Sequence, residues 1–186
     1  MKTIPTIMML LLGAVACAQP EAQKHTPSDV DYPGFVELTA EAEEHRKTHT
    51  VSLEDFIRLS KEKGTMILDT RSEKMYKAKH VKGAVHLNFS DFTADKLAKV
   101  IPSKDTRVLI YCNNNLDKDP YYFARKSAPL ALNIPTFINL YGYGYKNVYE
   151  LNALVPVVPD LGEKGPALEF EGTAVEASST VKSKAE

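Results

Sequence analysis

The chain has no tryptophan, only two cysteines (Cys17 and Cys112), and almost no net charge, at −1. A multi-cysteine metal site cannot be assembled from two thiols. The charge balance gives no sign of a general nucleic-acid binder and leaves room only for a local basic patch. The one long apolar run begins near the start, at Ile7-Met8-Met9-Leu10-Leu11-Leu12, and reaches Cys17. It is too short for a bilayer-spanning helix of a mature protein. Internal repeats are absent too. What remains is 186 residues, 44 % of them hydrophobic, enough for one ordinary domain with ends.

Residues 1–17 read as an export signal, with Lys2 as the positive start. Two endings stay open. Ala14-Val15-Ala16 is a small-x-small cleavage site, and the same residues before Cys17 resemble a bacterial lipobox, in which Cys17 is lipidated and anchors the protein to a membrane. Either ending predicts a protein exported to the periplasm or held in the cell envelope. Cys112 is then the only thiol of the folded part, which excludes an intramolecular dithiol mechanism. Residues 18–47 read as a tether and N-terminal extension, with a turn at Tyr32-Pro33-Gly34-Phe35 and a short helix over Ala40 to Arg46. The domain is expected over 48–158, and the Gly-, Glu-, Lys- and Ser-rich residues 159–186 as a disordered tail.

Within the domain, Thr48 to Val51 reads as a strand, and Ser52-Leu53-Glu54-Asp55 opens a helix with Ser52 as its cap. Thr65 to Leu68, Gly83 to Leu87 and Val108 to Tyr111 read as strands, with helices over Ser72 to Ala78 and Phe92 to Val100. Asp119-Pro120 reads as a helix start, running to Leu132. Pro135 to Leu140 is expected as the last strand, and Gly142 and Gly144 as the opening of a last helix through Leu151. Alternating strands and helices predict an α/β fold, a central mostly parallel sheet flanked by helices.

Cys112 ends the most apolar strand and is followed by Asn113-Asn114-Asn115-Leu116-Asp117-Lys118-Asp119. Asparagine tolerates turn geometry, and loop amides together with a helix N-terminus favour negative charge. These features predict a thiolate with a lowered pKa. Elsewhere, Asp69 at a strand end can pair with Arg71, His80 can bridge loops, and Gly83 can take positive φ; these residue types favour a scaffold role.

The string from Asp69-Thr70-Arg71 through His80-Val81-Lys82-Gly83-Ala84 resembles the rhodanese-like domain family, as do Tyr111-Cys112 and Asn139-Leu140-Tyr141-Gly142. The resemblance covers about Thr48 to Val157. It implies a sulfurtransferase: Cys112 takes a sulfane sulfur from a thiosulfate- or polysulfide-type donor, holds it as a persulfide, and yields it to an external thiol or other nucleophile. It implies no cofactor and no metal. The loop departs from the family pattern, being a few residues longer, without glycine and without the loop arginine. Asn113, Asn114 and Asn115 then stand where the loop amides would hold an anion, and Lys118 and Arg125 are the nearest cations that could face a small sulfur-containing anion. The enlarged loop also fits a non-catalytic rhodanese-like binding module of the cell envelope. Related loops of cell-cycle phosphatases hold phosphate, but the arginine that clamps a phosphoryl group is lacking here.

Overall fold

The computed structural model describes residues 26–158 and 167–175. The expected signal and lipidation site, at 1–17, lie outside them. The chain divides into two units, Met1–Asp31 and Tyr32–Glu186, and the second carries the fold. No helix among the described residues is long and apolar enough to cross a membrane.

Five strands form the central sheet in the order β1-β7-β5-β2-β4, and every pairing is parallel. They are β1 (Thr50–Val51), β2 (Thr65–Asp69), β4 (Ala84–His86), β5 (Arg107–Tyr111) and β7 (Val148–Leu151). The α/β expectation is met. A sheet covered on both faces needs apolar residues on both sides of each strand. β2 and β5 meet that need by alternation: Leu68, Val108 and Ile110 point into one core, Ile67, Leu109 and Tyr111 into the other. α1 (Tyr32–Arg46), α4 (Ala94–Val100) and α5 (Asn133–Gly142) supply Ala42, Leu97, Phe137 and Leu140 to the first core. α2 (Leu53–Ser60) supplies Phe56 and Leu59 to the second. Ser52 caps α2 by accepting the Asp55 N–H at 3.1 Å. The short α3 (Glu73–Ala78) follows β2, and β3 (His80–Val81) follows α3.

Four expectations are corrected here. The N-terminal extension is not a tether throughout. Tyr32 to Phe35 form the first turn of α1, which packs on α5 where Gly142 has no Cβ; one there would meet Leu38 at 2.9 Å. Asn133–Gly142, which contains the expected last strand, is helical. Its Pro135 lies in the first turn, where a missing N–H costs nothing, and Phe137, Ile138 and Leu140 recur at helical spacing toward the core. The expected last helix is instead the turn after α5 and strand β7, whose Val148 and Tyr149 suit a pleated surface between β1 and β5. Finally, part of the tail expected to be disordered forms a strand: β9 (Phe170–Glu171) pairs antiparallel with β3.

The fifth correction bears on the site. No helix spans Pro120 to Leu132. After a 3-10 turn at Asn113–Asn115, the chain forms β6 (Leu116–Asp117), which pairs with β8 (Val155–Pro156). It then turns at Asp119, and crosses to a second 3-10 turn at Ala128–Leu130. A helix here would bury little, since Tyr121 and Leu130 face solvent and only Phe123 is buried. The asparagine side chains also compete for its backbone. Asn113 Nδ2 donates to Ala124 O at 2.8 Å, and Asn114 donates to Lys126 O at 2.7 Å while accepting the Lys126 N–H at 3.0 Å. Asp119 closes only a turn, accepting the Tyr122 N–H at 3.3 Å, and its carboxylate pairs with Lys79 at 2.8 Å.

Candidate functional site

Cys112 lies at the carboxyl end of β5, the middle strand of the sheet, where parallel α/β sheets place their sites. The thiol is 1 % exposed and lines a cavity of about 420 Å³. The backbone N–H groups of Asn114, Asn133 and Leu132 lie near enough to its sulfur to favour the thiolate. A helix N-terminus therefore does face the sulfur, but it is that of α5, twenty-one positions along the chain (133 minus 112), rather than one at Pro120.

The expected direction of the thiol pKa is corrected. Burial pushes the Cys112 thiol up, the three neighbouring N–H groups pull it down, and the nearby Glu150 charge adds to the rise; the net shift is upward. The loop that brings amides to the sulfur also removes it from water, and desolvation of the thiolate outweighs the dipoles.

A connected set of buried amides holds this arrangement. Asn115 Oδ1 accepts the Cys112 N–H at 2.9 Å and Asn133 Nδ2 at 2.9 Å. Its Nδ2 donates to Leu151 O at 2.7 Å and Ala153 O at 3.2 Å, tying the loop to the end of β7. Asn133 Nδ2 also reaches Glu150 Oε1 at 3.2 Å, and Glu150 Oε2 accepts from Arg46 Nε of α1. Asn114, Asn115, Asn133 and Glu150 line the cavity with Cys112. Sequence reading missed Leu132, Asn133 and Glu150, which no local pattern marks; they meet Cys112 only because α5 and β7 pack beside β5.

Lys118 and Arg125, expected to face an anionic donor, do not line this cavity. Arg125 lies near Asp117, at 3.9 Å, with half its side chain exposed. Lys118 is exposed at a positive φ of 63°. The added chain length of the loop carries both past the sulfur and onto the surface.

The Asp69–Arg71 string builds a scaffold beside the site. Asp69 is wholly buried and grips the Arg71 guanidinium through Nε at 3.0 Å and Nη2 at 2.6 Å. It also accepts the Arg71 N–H at 3.0 Å and the Tyr111 hydroxyl. Burial and the Asp69 charge push the Tyr111 hydroxyl well up, so it stays a donor. Two further guanidinium protons of Arg71 go to Tyr122 O at 3.2 Å and Lys79 O at 2.8 Å, and the Phe123 ring covers the guanidinium at 4.6 Å. His80 bonds Tyr76 O at 2.7 Å and Glu171 at 3.1 Å. Gly83, at φ 79°, turns its N–H to Glu171 at 2.9 Å.

A five-stranded parallel sheet with a strand-end cysteine beneath backbone amides is the arrangement that the rhodanese-like resemblance implies. The family model for the rhodanese-like domain matches residues 52–153, more than half of the chain, and the protein belongs to that family. Similar solved structures include the BH2092 protein from Bacillus halodurans, 20 % identical, with a TM-score of 0.45, over 73 % of this chain and 87 % of that one. The Alr3790 protein from Anabaena sp. is 19 % identical, with a TM-score of 0.42, over 72 % and 90 %. A rhodanese with anions from E. coli is 19 % identical, with a TM-score of 0.37, over 59 % and 99 %. No curated protein matches the chain.

Proposed function

We propose that this protein is a sulfurtransferase that carries a sulfane sulfur as a persulfide on Cys112 and passes it to an external thiol or other nucleophile. The convergence of the Asn114, Leu132 and Asn133 N–H groups on one sulfur supports this reading most. Donors fixed in a buried site stabilise a thiolate or persulfide anion without reorganising at the moment of reaction. The Cys112 thiolate attacks the outer sulfur of the donor. A sulfur–sulfur bond forms at Cys112, the donor's own sulfur–sulfur bond breaks, and the leaving group departs with its electron pair. The acceptor reverses the exchange.

The burial of Cys112 and its raised pKa favour a second reading, a rhodanese-like binding module that performs no transfer. Intact-mass measurement after exposure to inorganic polysulfide and to an organic persulfide separates the two. Transfer predicts a gain of one sulfur, about 32 Da, on Cys112 and none on Cys112→Ser. No gain from any donor leaves the binding module.

Export to the cell envelope is part of the same proposal and rests on residues 1–17. The mass of the protein isolated from its native cells tests it: a mature chain starting at or next to Cys17 supports export, with lipid mass if anchored, and a chain starting at Met1 overturns it.

A further inference from the structure

The cavity beside Cys112 presents Asn133 and the Glu150 carboxylate among its lining side chains. Three of its four side-chain amides are already engaged as donors: Asn115 Nδ2 with Leu151 and Ala153, Asn133 Nδ2 with Asn115 and Glu150, Asn114 Nδ2 with Lys126; the fourth, Asn152, is exposed. Asn133 is 3 % exposed, and its Oδ1 is buried with no hydrogen-bond partner. The orientation of that amide is fixed, since both groups facing its nitrogen, Asn115 Oδ1 and Glu150 Oε1, are acceptors. A buried acceptor left unpaired is destabilising, and a donor on a ligand would recover that loss.

The charge on the wall has one sign. Glu150 lines the cavity, and no Lys, Arg or His does so among the described residues. Arg46 pairs with Glu150 without lining the cavity. A neighbouring cavity of about 170 Å³ holds Arg71 and Lys126, but Cys112 does not line it. The rest of the wall includes Ala128, Ala131 and Leu154, small or apolar groups suited to a short carbon chain. The volume is at the low end for small-molecule sites.

We infer that the sulfur donor is a small organic persulfide carrying an ammonium group on a short alkyl body, with the ammonium held by Asn133 Oδ1 and Glu150. This rests on the sulfurtransferase reading and narrows its substrate. Inorganic sulfane anions bring charge of the wrong sign to the Glu150 carboxylate and no donor to Asn133. The exchange is balanced without an oxidant. Cys112 attacks the terminal sulfur of the hydropersulfide, the donor's sulfur–sulfur bond breaks, and the departing thiolate takes the proton that Cys112 gives up.

The test is the initial rate of sulfur loading on Cys112 in the full chain, read by intact mass, with three probes: aminoethyl hydropersulfide, carboxyethyl hydropersulfide and thiosulfate. The ammonium probe is expected to load faster than either anion by about tenfold or more, the ratio of one well-made polar contact. Glu150→Gln should shrink that ratio, and Arg46→Gln, which frees the carboxylate from its cation at α1, should enlarge it. Should Glu150→Gln fail to fold, Arg46→Gln still reports the sign. Loading by either anion as fast as by the ammonium probe overturns the inference and leaves sulfur transfer standing. No loading by any probe overturns both.

Discussion

Asn133 Nδ2 donates to Asn115 Oδ1 at 2.9 Å, so the first turn of α5 is fastened to the loop that leaves Cys112. The same oxygen accepts the Cys112 N–H. One side-chain amide thus sets the distance between the thiol and the helix N-terminus that faces it.

Asn115→Ala removes four hydrogen bonds and leaves Leu151 O and the Asn133 amide short of partners. The expected loss is about 2–4 kcal/mol, at roughly 1 kcal/mol per bond. Urea unfolding measures it. Alkylation of Cys112 should accelerate in the variant because the covering loop loosens; a thiol still as slow as in the parent would place the protection elsewhere.

The raised Cys112 pKa has a direction in pH. At neutral pH the thiol should alkylate more slowly than free cysteine, with its rate rising only above the ordinary thiol range. For stability, the folded state keeps its proton where the unfolded chain has lost it. The contribution is therefore complete below the unfolded thiol pKa and is lost as pH rises through it toward the folded value. Cys112→Ser should flatten that alkaline decline in a denaturation series.

Asp69→Asn leaves the Arg71 guanidinium buried without its counter-ion and weakens the acceptor for Tyr111. Removing one partner of such a pair costs about 3–5 kcal/mol. A fall in the urea midpoint with an unchanged slope is the expected result.

Glu171 holds β9 to β3 through the Gly83 N–H and His80, and these contacts draw its carboxyl below the ordinary range, the Gly83 bond most. Its anchoring contribution is present above the unfolded carboxylate pKa and fades as pH falls through the depressed folded value. Glu171→Ala should speed hydrogen exchange at the Lys82 and Gly83 amides several-fold while leaving Leu109 and Ile110 unchanged. Lys82 N–H bonds Glu169 O at 2.8 Å, so its exchange reports directly on β9.

The sequence by itself determined four strands of the central sheet, β1, β2, β4 and the β5 that leads to Cys112, and the Asp69–Arg71 scaffold string. Each is carried by contiguous residues: alternating apolar positions in β2 and β5, Ser52 at the start of α2, glycine at the positive φ of residue 83. The segment from Leu116 to Leu151 was decided by tertiary structure. Its apolar residues fit a helix or a strand equally well over so short a run, and proline at 120, 129 and 135 marks turns without saying which side is helical. Side chains from Asn113 and Asn114 took the backbone partners that a helix after Asp119 needed, and the face offered by α1 and the sheet made residues 133–142 helical instead. The thiol pKa was decided the same way. Sequence shows the amides that can stabilise a thiolate, but burial is a property of the closed loop, and at Cys112 burial outweighs the amides.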